Sequence, residues 1–197
     1  LPGIAVIDDL LSPDTLAALQ EFLLDSTIWY DFTHIAGFLA CYLEDGLACP
    51  LLLQIADELR LALPDILGPH ALQQGWAFKC LTGEQGIGLH ADGGAVGVNF
   101  WITPDSANRA PEAGGLVVYR ARPPEGWTLG DYHGDIAPIR RFLAEHDQGS
   151  VTVAHAENRA LLFQSRFFHE SGAVDFAPGY GNHRINITLM FGDHEKE

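Results

Sequence analysis

The stretch Gly88-Leu89-His90-Ala91-Asp92-Gly93-Gly94 leads directly into an apolar, strand-like segment at residues 96–103. Residues i and i+2 of an extended chain point to the same side, so His90 and Asp92 can face one point at the end of a strand. The surrounding glycines allow the backbone to turn tightly at the mouth of a sheet. An imidazole and a carboxylate held in this way are typical ligands of a metal ion.

The remainder of the chain beyond residue 75 consists of short β-type runs separated by turn residues. This spacing predicts a sandwich or jelly roll, in which two sheets face a shared cavity. The predicted strands are residues 76–81, 96–103, 115–120, 150–153, 160–164 and 185–191. The long segment 121–149 predicts a short helix near residues 139–145 and a lid or substrate-binding surface. Its Trp127, Tyr132 and His133 are candidates for substrate contact or for packing.

The first 74 residues predict a short strand at 3–11 followed by two helices. Ser12-Pro13-Asp14 has the order of a helix start, with an N-cap, a proline in the first turn and an acid behind it. The second helix is predicted from apolar residues at helical spacing over residues 50–63, and it ends before Pro64. We therefore predict a single domain over 1–197, mainly β, with helical support at 1–74 packed on one sheet of a jelly-roll core at 75–193.

Charge and composition restrict the partners. The formal net charge of −15 counts against a nucleic-acid partner and agrees better with a neutral or cationic substrate, and a role in solubility alone is the competing interpretation. No run reaches the roughly 18 apolar residues of a membrane span. Three cysteines without a C-x-x-C pair, and a start without the cationic segment of a signal peptide, predict a reducing, cytoplasmic location. The missing initiator Met fits a domain taken from a longer protein.

A second histidine and an arginine extend the H-x-D motif. His169 lies in Phe167-Phe168-His169-Glu170-Ser171, before the last β-run, and Arg184 opens that run. Two imidazoles and one carboxylate cover one face of Fe(II) in non-haem oxygenases and leave the other face open. One H-x-D triplet is unremarkable in a chain with nine histidines, and a lone histidine is more often a core or surface residue. The order of these residues along the strands is what indicates a metal site.

Several segments together resemble the 2-oxoglutarate- and Fe(II)-dependent dioxygenase superfamily, in particular its prolyl-4-hydroxylase-like branch. They cover most of the chain and occur in the family's order, which is more specific than any single motif. The similar segments are the Leu-Ser-Pro-Asp lead-in at 11–14, the approach to H-x-D at 83–92, the G-G-x-L strand at 114–119, the strand at 158–163 and the R-x-S/T-like segment at 184–188.

The resemblance implies a double-stranded β-helix enzyme that uses Fe(II), 2-oxoglutarate and O2. The implied metal ligands are His90, Asp92 and His169. The implied co-substrate contacts are Arg184, Asn186, Thr188 and Asn99. For Asn99, structural hydrogen bonding is the competing role. The implied reaction is hydroxylation of a peptide side chain or small molecule, with release of succinate and CO2.

The chain departs from the family pattern at three positions. Cys80 replaces a tyrosine that often contacts the co-substrate, Arg184 replaces the lysine of collagen-type enzymes, and Asn186 stands where Ser or Thr is common. Asp92 is retained, so the chain does not resemble the halogenating subset. We expect Lys79 to be a solvated strand-face residue and Arg159 to pair with Glu157 or another acid.

Two other classes remain open from the sequence. One is a metal- or carbohydrate-binding, cupin-like jelly roll without redox activity. The other is a cupin-like isomerase or thiol oxidase that needs a metal but no 2-oxoglutarate. Neither class requires a cation downstream of the second histidine, so Arg184 favours the oxygenase.

Overall fold

The computed structural model describes residues 3–33, 37–81, 86–146 and 149–193. Its helices are α1 (Pro13–Asp25), α2 (Pro50–Ala62), α3 (Leu129–His133) and α4 (Ile136–Glu145). Its strands are β1 (Ile4–Ile7), β2 (Phe38–Tyr42), β3 (Leu72–Cys80), β4 (Gly94–Trp101), β5 (Leu116–Tyr119), β6 (Ser150–Val153), β7 (Ala160–Gln164), β8 (His169–Ser171) and β9 (Ile185–Asp193). None of the helices in these ranges has the length and apolar character that crossing a bilayer requires.

Two antiparallel sheets form the body of the protein. The large sheet has the order β1-β7-β4-β9-β3-β2, and the small sheet has the order β6-β5-β8. Leu116 and Val118 of the small sheet pack against Trp101, Leu161 and Phe163 of the large sheet. The predicted mainly-β jelly roll with flanking helices is therefore the observed fold class.

Strand β9 has two different faces because successive side chains of a strand point to opposite sides. One face packs against α1 and α2 in the main apolar cluster through Ile185, Ile187, Leu189 and Phe191. The helices contribute Leu19, Leu23, Leu52, Ile55 and Leu59 to that cluster. Each such buried side chain contributes about 1.5–3 kcal/mol of transfer free energy. The other face of β9 carries Asn186, Thr188 and Met190 and lines a cavity.

The structure departs from the sequence prediction mainly at the edges of the large sheet. The predicted helical support at 1–74 also supplies β1 and β2, which pair with β7 and β3. The first strand is shorter than predicted, because the chain turns at Asp9, whose φ is +53°. Strands β2 and β8 were not predicted, and β3 begins at Leu72 instead of residue 76. Part of the predicted approach to H-x-D, residues 83–85, lies outside the described residues.

One buried side chain ties the N-terminal segment to the large sheet. Asn158 has a left-handed backbone, with φ of +61°. Its Oδ1 accepts a hydrogen bond from the backbone N–H of Leu11 at 2.9 Å, and its Nδ2 donates to the carbonyl of Leu11 at 2.8 Å. These bonds satisfy both backbone groups of Leu11 where the chain enters α1.

We predict that Asn158→Ala lowers the free energy of unfolding by about 2–4 kcal/mol, because it leaves two buried polar groups unpaired and strains a left-handed residue. Urea denaturation followed by circular dichroism measures the change. Asn158→Gly is the matched variant: it tolerates the backbone conformation and should recover about 1 kcal/mol of the loss. A loss below about 1 kcal/mol in Asn158→Ala would contradict the assignment.

Candidate metal centre

His90, Asp92 and His169 converge at one point of the cavity between the sheets. Their potential ligand atoms all lie within 4.8 Å of one another. His169 Nε2 is 3.5 Å from Asp92 Oδ2, and His90 Nε2 is 3.9 Å from Asp92 Oδ1. Asp92 and His169 are buried and His90 is half-buried. The fold thus brings together the three side chains that the sequence singled out.

Backbone pairing creates this convergence. His90 and His169 form an isolated antiparallel β-bridge, in which the N–H of each donates to the carbonyl of the other at 3.0 and 2.8 Å. Directly paired residues of an antiparallel ladder carry their side chains on the same side, and here the two ring centroids are 4.2 Å apart. The N–H of Asp92 donates to the carbonyl of Ser165 at 2.9 Å and fixes the third group.

Each imidazole is oriented by the backbone carbonyl two residues before it. Nδ1 of His90 lies 2.7 Å from the carbonyl of Gly88, and Nδ1 of His169 lies 2.9 Å from the carbonyl of Phe167. A carbonyl only accepts hydrogen bonds, so Nδ1 of each ring carries a hydrogen, and Nε2, directed towards Asp92, is the nitrogen that can bind a metal. Metal-binding histidines have this second contact as a rule. Two lone pairs and a carboxylate facing one another are a donor set that suits a cation.

The protonation states of His90 and Asp92 also suit metal binding. Burial, and after it the neighbouring His169, lowers the pKa of His90 to about 4, so this ring is neutral at pH 7. Burial by itself would raise the pKa of Asp92. The imidazoles of His133 and His169 outweigh that effect and hold the pKa of Asp92 well below its usual range. Neutral imidazole and ionised carboxylate are the forms that bind a divalent metal.

Arg184 supplies a positive charge in the same cavity. It is 1% exposed, and its Nε donates to the carbonyl of Gly114 at 2.5 Å while Nη1 donates to Asn186 Oδ1 at 2.8 Å. Burial lowers the pKa of Arg184 to about 10, which leaves it charged at pH 7. Within the described part of the chain, no carboxylate forms an ion pair with it. A buried guanidinium held only by neutral acceptors is suited to binding an anion.

A polar wall adjoins Arg184. Asn99 Oδ1 accepts hydrogen bonds from Asn186 Nδ2 and Thr188 Oγ1, each at 3.1 Å. Nδ2 of Asn99 is buried and has no hydrogen-bond partner among the described residues. All of these side chains line the cavity. Asn99 therefore has the structural role that competed in the sequence analysis, and it also has one donor left to bind a ligand oxygen.

The cavity has a volume of about 820 Å³ and is wide enough to hold more than one small molecule. Asn99 and Thr188 stand in register with Trp76 and Tyr42 on the next two strands, so the polar centre of the wall continues into aromatic residues. The other charged residues along the cavity, apart from Arg184, Asp92 and the histidines, are Glu44 and Asp193.

One of the two basic residues considered in the sequence analysis lies elsewhere than predicted, and the other forms the kind of ion pair that was predicted. Lys79 is 1% exposed instead of solvated: its Nζ donates to the hydroxyl of Tyr180 at 3.0 Å and lies over the ring of Trp29 at 4.3 Å. Arg159 pairs with an acid as predicted: its partner is Asp8, at 2.5 Å, which is the other acid that the prediction allowed besides Glu157. Neither basic residue lines the cavity.

The aromatic residues of the 121–149 insertion divide between packing and the site. Trp127 and Tyr132 pack in an apolar cluster with Phe168 and Ile139, whereas His133 lines the cavity and reaches Asp92. Their spacing in the sequence did not separate the two roles, because α3 is only five residues long. Cys80 is buried on β3 and does not line the cavity.

No protein-family model matches the chain, and no curated protein matches it. Solved structures do. HygX from Streptomyces hygroscopicus with nickel and 2-oxoglutarate bound has a TM-score of 0.67 and 14% identity, and the match covers 98% of this chain and 84% of that one. SnoN, a non-heme alpha ketoglutarate dependent epimerase from nogalamycin biosynthesis, has a TM-score of 0.62 and 13% identity over 97% and 78%.

A prolyl 4-hydroxylase from Phytophthora capsici has a TM-score of 0.61 and 18% identity, with 98% of this chain and 59% of that chain covered. These similarities confirm the fold that the sequence resemblance implied, the jelly roll of 2-oxoglutarate- and iron-dependent oxygenases. At such identities they establish the fold alone, so the activity has to be argued from the site.

We predict that Asp92→Ala weakens binding of Co²⁺ or Fe²⁺ by more than about 100-fold, because it removes the charged ligand. Changes to residues that only surround a metal's ligands already weaken binding by about 10–100-fold. Anaerobic titration calorimetry measures this affinity. The matched control is Glu170→Gln: Glu170 follows His169 but bonds to Tyr119 and Arg140 instead. Equal affinities in Asp92→Ala and the wild type would exclude the metal site.

Proposed function

We propose that this chain is an Fe(II)- and 2-oxoglutarate-dependent oxygenase. The observation that carries the proposal is the presence, in one cavity, of a two-histidine, one-carboxylate group and a buried guanidinium that forms no ion pair with a carboxylate of the described residues. The fold supports it, since HygX binds nickel and 2-oxoglutarate and SnoN depends on alpha ketoglutarate. A cupin-like protein without redox chemistry has no use for the buried cation.

His90, Asp92 and His169 would hold the iron through two neutral imidazoles and one carboxylate. When bound, Fe(II) supplies activation of O2, coupled to conversion of 2-oxoglutarate into succinate and CO2. The protein's contribution is to fix the donors before the metal arrives: the Gly88 and Phe167 carbonyls hold the rings, and the Ser165 carbonyl holds the backbone of Asp92. With Fe(II) bound, the metal and its three ligands would keep a net positive charge, which attracts an anionic chelator.

Arg184 would bind the distal carboxylate of 2-oxoglutarate. A guanidinium stays charged when buried and offers parallel N–H groups that match a carboxylate. Each charge-assisted hydrogen bond of this kind contributes about 1.5–3 kcal/mol. Nδ2 of Asn99, which has no hydrogen-bond partner among the described residues, would donate to an oxygen of the same molecule, and Asn186 and Thr188 complete the polar wall.

The substrate that we infer is a neutral or cationic small molecule or peptide side chain. HygX has been solved with hygromycin B bound, so this fold accommodates a small polar substrate. In this chain the aromatic residues Trp76 and Tyr42 and the carboxylates of Glu44 and Asp193 also line the cavity. Carboxylates and aromatic faces both attract cations. We infer hydroxylation as the outcome.

The cellular location that we infer is the cytoplasm. All three cysteines, Cys41, Cys49 and Cys80, are free thiols. Free thiols suit a reducing compartment, where both Fe(II) and 2-oxoglutarate are at hand.

Anaerobic addition of Fe(II) and 2-oxoglutarate should produce a weak visible charge-transfer band, and Arg184→Gln should raise the Kd of 2-oxoglutarate by about 10–150-fold, the equivalent of one lost charge-assisted bond. Co²⁺ affinity reports whether the variant still folds, and Arg184→Lys tests whether charge alone suffices. Arg159→Gln, which removes an arginine paired to Asp8, should leave the band unchanged. A wild-type protein that binds metal but forms no band would support the cupin-like alternative.

Amines and neutral polyols should stimulate succinate release more than dicarboxylic acids in a screen of amino acids, peptides and small molecules. For a cationic substrate found in this screen, the double variant Glu44→Gln, Asp193→Asn should raise KM by about tenfold, which corresponds to the loss of one charge interaction, and leave kcat unchanged. Asp57→Asn, an exposed carboxylate on α2, is the control. Stimulation by anionic compounds alone would contradict the inferred substrate charge.

A further inference from the structure

The insertion between β5 and β6 is built onto the metal-binding segment. The carbonyl of Tyr132, on α3, accepts a hydrogen bond from the backbone N–H of Ala91 at 3.3 Å. Ala91 lies between His90 and Asp92 in the chain. Tyr132 also packs in one apolar cluster with Leu89, Ala91 and Phe168, the residue before His169. The insertion therefore contacts both chain segments that carry the candidate ligands.

This docking brings His133 to the carboxylate of Asp92. His133 is the last residue of α3, and its Nε2 lies 3.5 Å from Asp92 Oδ1. Its ring centroid is 5.2 Å from that of His90. The side chain is 39% exposed and lines the cavity, so it does not stand in the apolar core.

His133 is distinct from the three candidate ligands. The ligand atoms of His90, Asp92 and His169 form a group within 4.8 Å, and His133 is not part of that group. The two oxygens of Asp92 are also used differently: Oδ2 faces His169, whereas Oδ1 faces His90 and His133. A hydrogen bond from His133 to Oδ1 is therefore compatible with ligation by Asp92.

Histidines surround the carboxylate of Asp92. Among the described residues, its side-chain contacts are with histidines only, and no backbone N–H or hydroxyl donates to it. His90 and His169 each place Nδ1 against a carbonyl, so Nε2 is the atom that would bind the metal. With both Nε2 atoms bound to a metal, His133 is the described side chain left to donate a hydrogen bond to Asp92.

We propose that His133 is a positioning residue of the metal centre, which donates a hydrogen bond to Asp92 and holds its carboxylate in the orientation that binds the metal. The inference rests on the proposed metal site and does not depend on 2-oxoglutarate or on turnover. It also gives the insertion a function: α3 is docked on Ala91 so that the chain's second half completes the support of a ligand in its first half.

The test is the affinity for Co²⁺, measured by anaerobic calorimetry without 2-oxoglutarate or O2. His133→Phe keeps an aromatic ring and removes the donor, and it should weaken Co²⁺ binding by about 10–100-fold, as changes of this kind do. His133→Gln restores a donor and should recover most of the affinity. His146→Phe alters another exposed histidine of the insertion and should change the affinity less than about threefold.

The outcomes separate this inference from the proposed function. Wild-type Co²⁺ affinity in His133→Phe would overturn the positioning role. An equal loss in His133→Phe and His133→Gln, together with a lowered melting temperature, would show packing instead. If the wild type binds Co²⁺ and His133→Phe loses it, but 2-oxoglutarate gives no charge-transfer band, the positioning role stands and the oxygenase proposal fails.

Discussion

The reciprocal backbone pairing of His90 and His169 is the contact on which the site depends. It is a single bridge between a segment that leads into β4 and the first residue of β8, and it joins the large sheet to the small one. Because it is an antiparallel pair, it places two imidazoles on one side at a fixed separation before any metal binds. Loss of this register by one residue would turn one ring to the opposite face of the ladder.

The same strands serve stability and chemistry through their two faces. β9 buries a row of aliphatic and aromatic side chains against α1 and α2, and it presents Asn186 and Thr188 to the cavity from the positions in between. β4 does likewise, with Val98 and Phe100 towards the helices and Asn99 towards the cavity. Packing of the apolar face fixes the strand, and with it the positions of the polar side chains on the opposite face, as a binding site requires.

The sequence was sufficient for the parts of this arrangement that follow strand periodicity and motif order. It predicted β6 and β7 to the residue, and it singled out His90, Asp92, His169 and Arg184. It could not show that His169 opens a strand of three residues, because so short an element has no period. Lys79 was misjudged because its burial depends on Trp29 and Tyr180, which are remote in sequence.

Two glycines stand directly before β5, and the first of them serves Arg184. Gly114 has φ of +78°, and in this conformation its carbonyl accepts the Nε hydrogen of Arg184. A Cβ on Gly115 would lie 1.8 Å from the carbonyl oxygen of Val153, so only glycine lets β5 approach β6 at this point. The cation is thus fixed by neutral dipoles of the backbone and of Asn186. Dipoles orient a charge without neutralising it, so the attraction of Arg184 for an anion is retained inside the protein, where the low dielectric makes it strong.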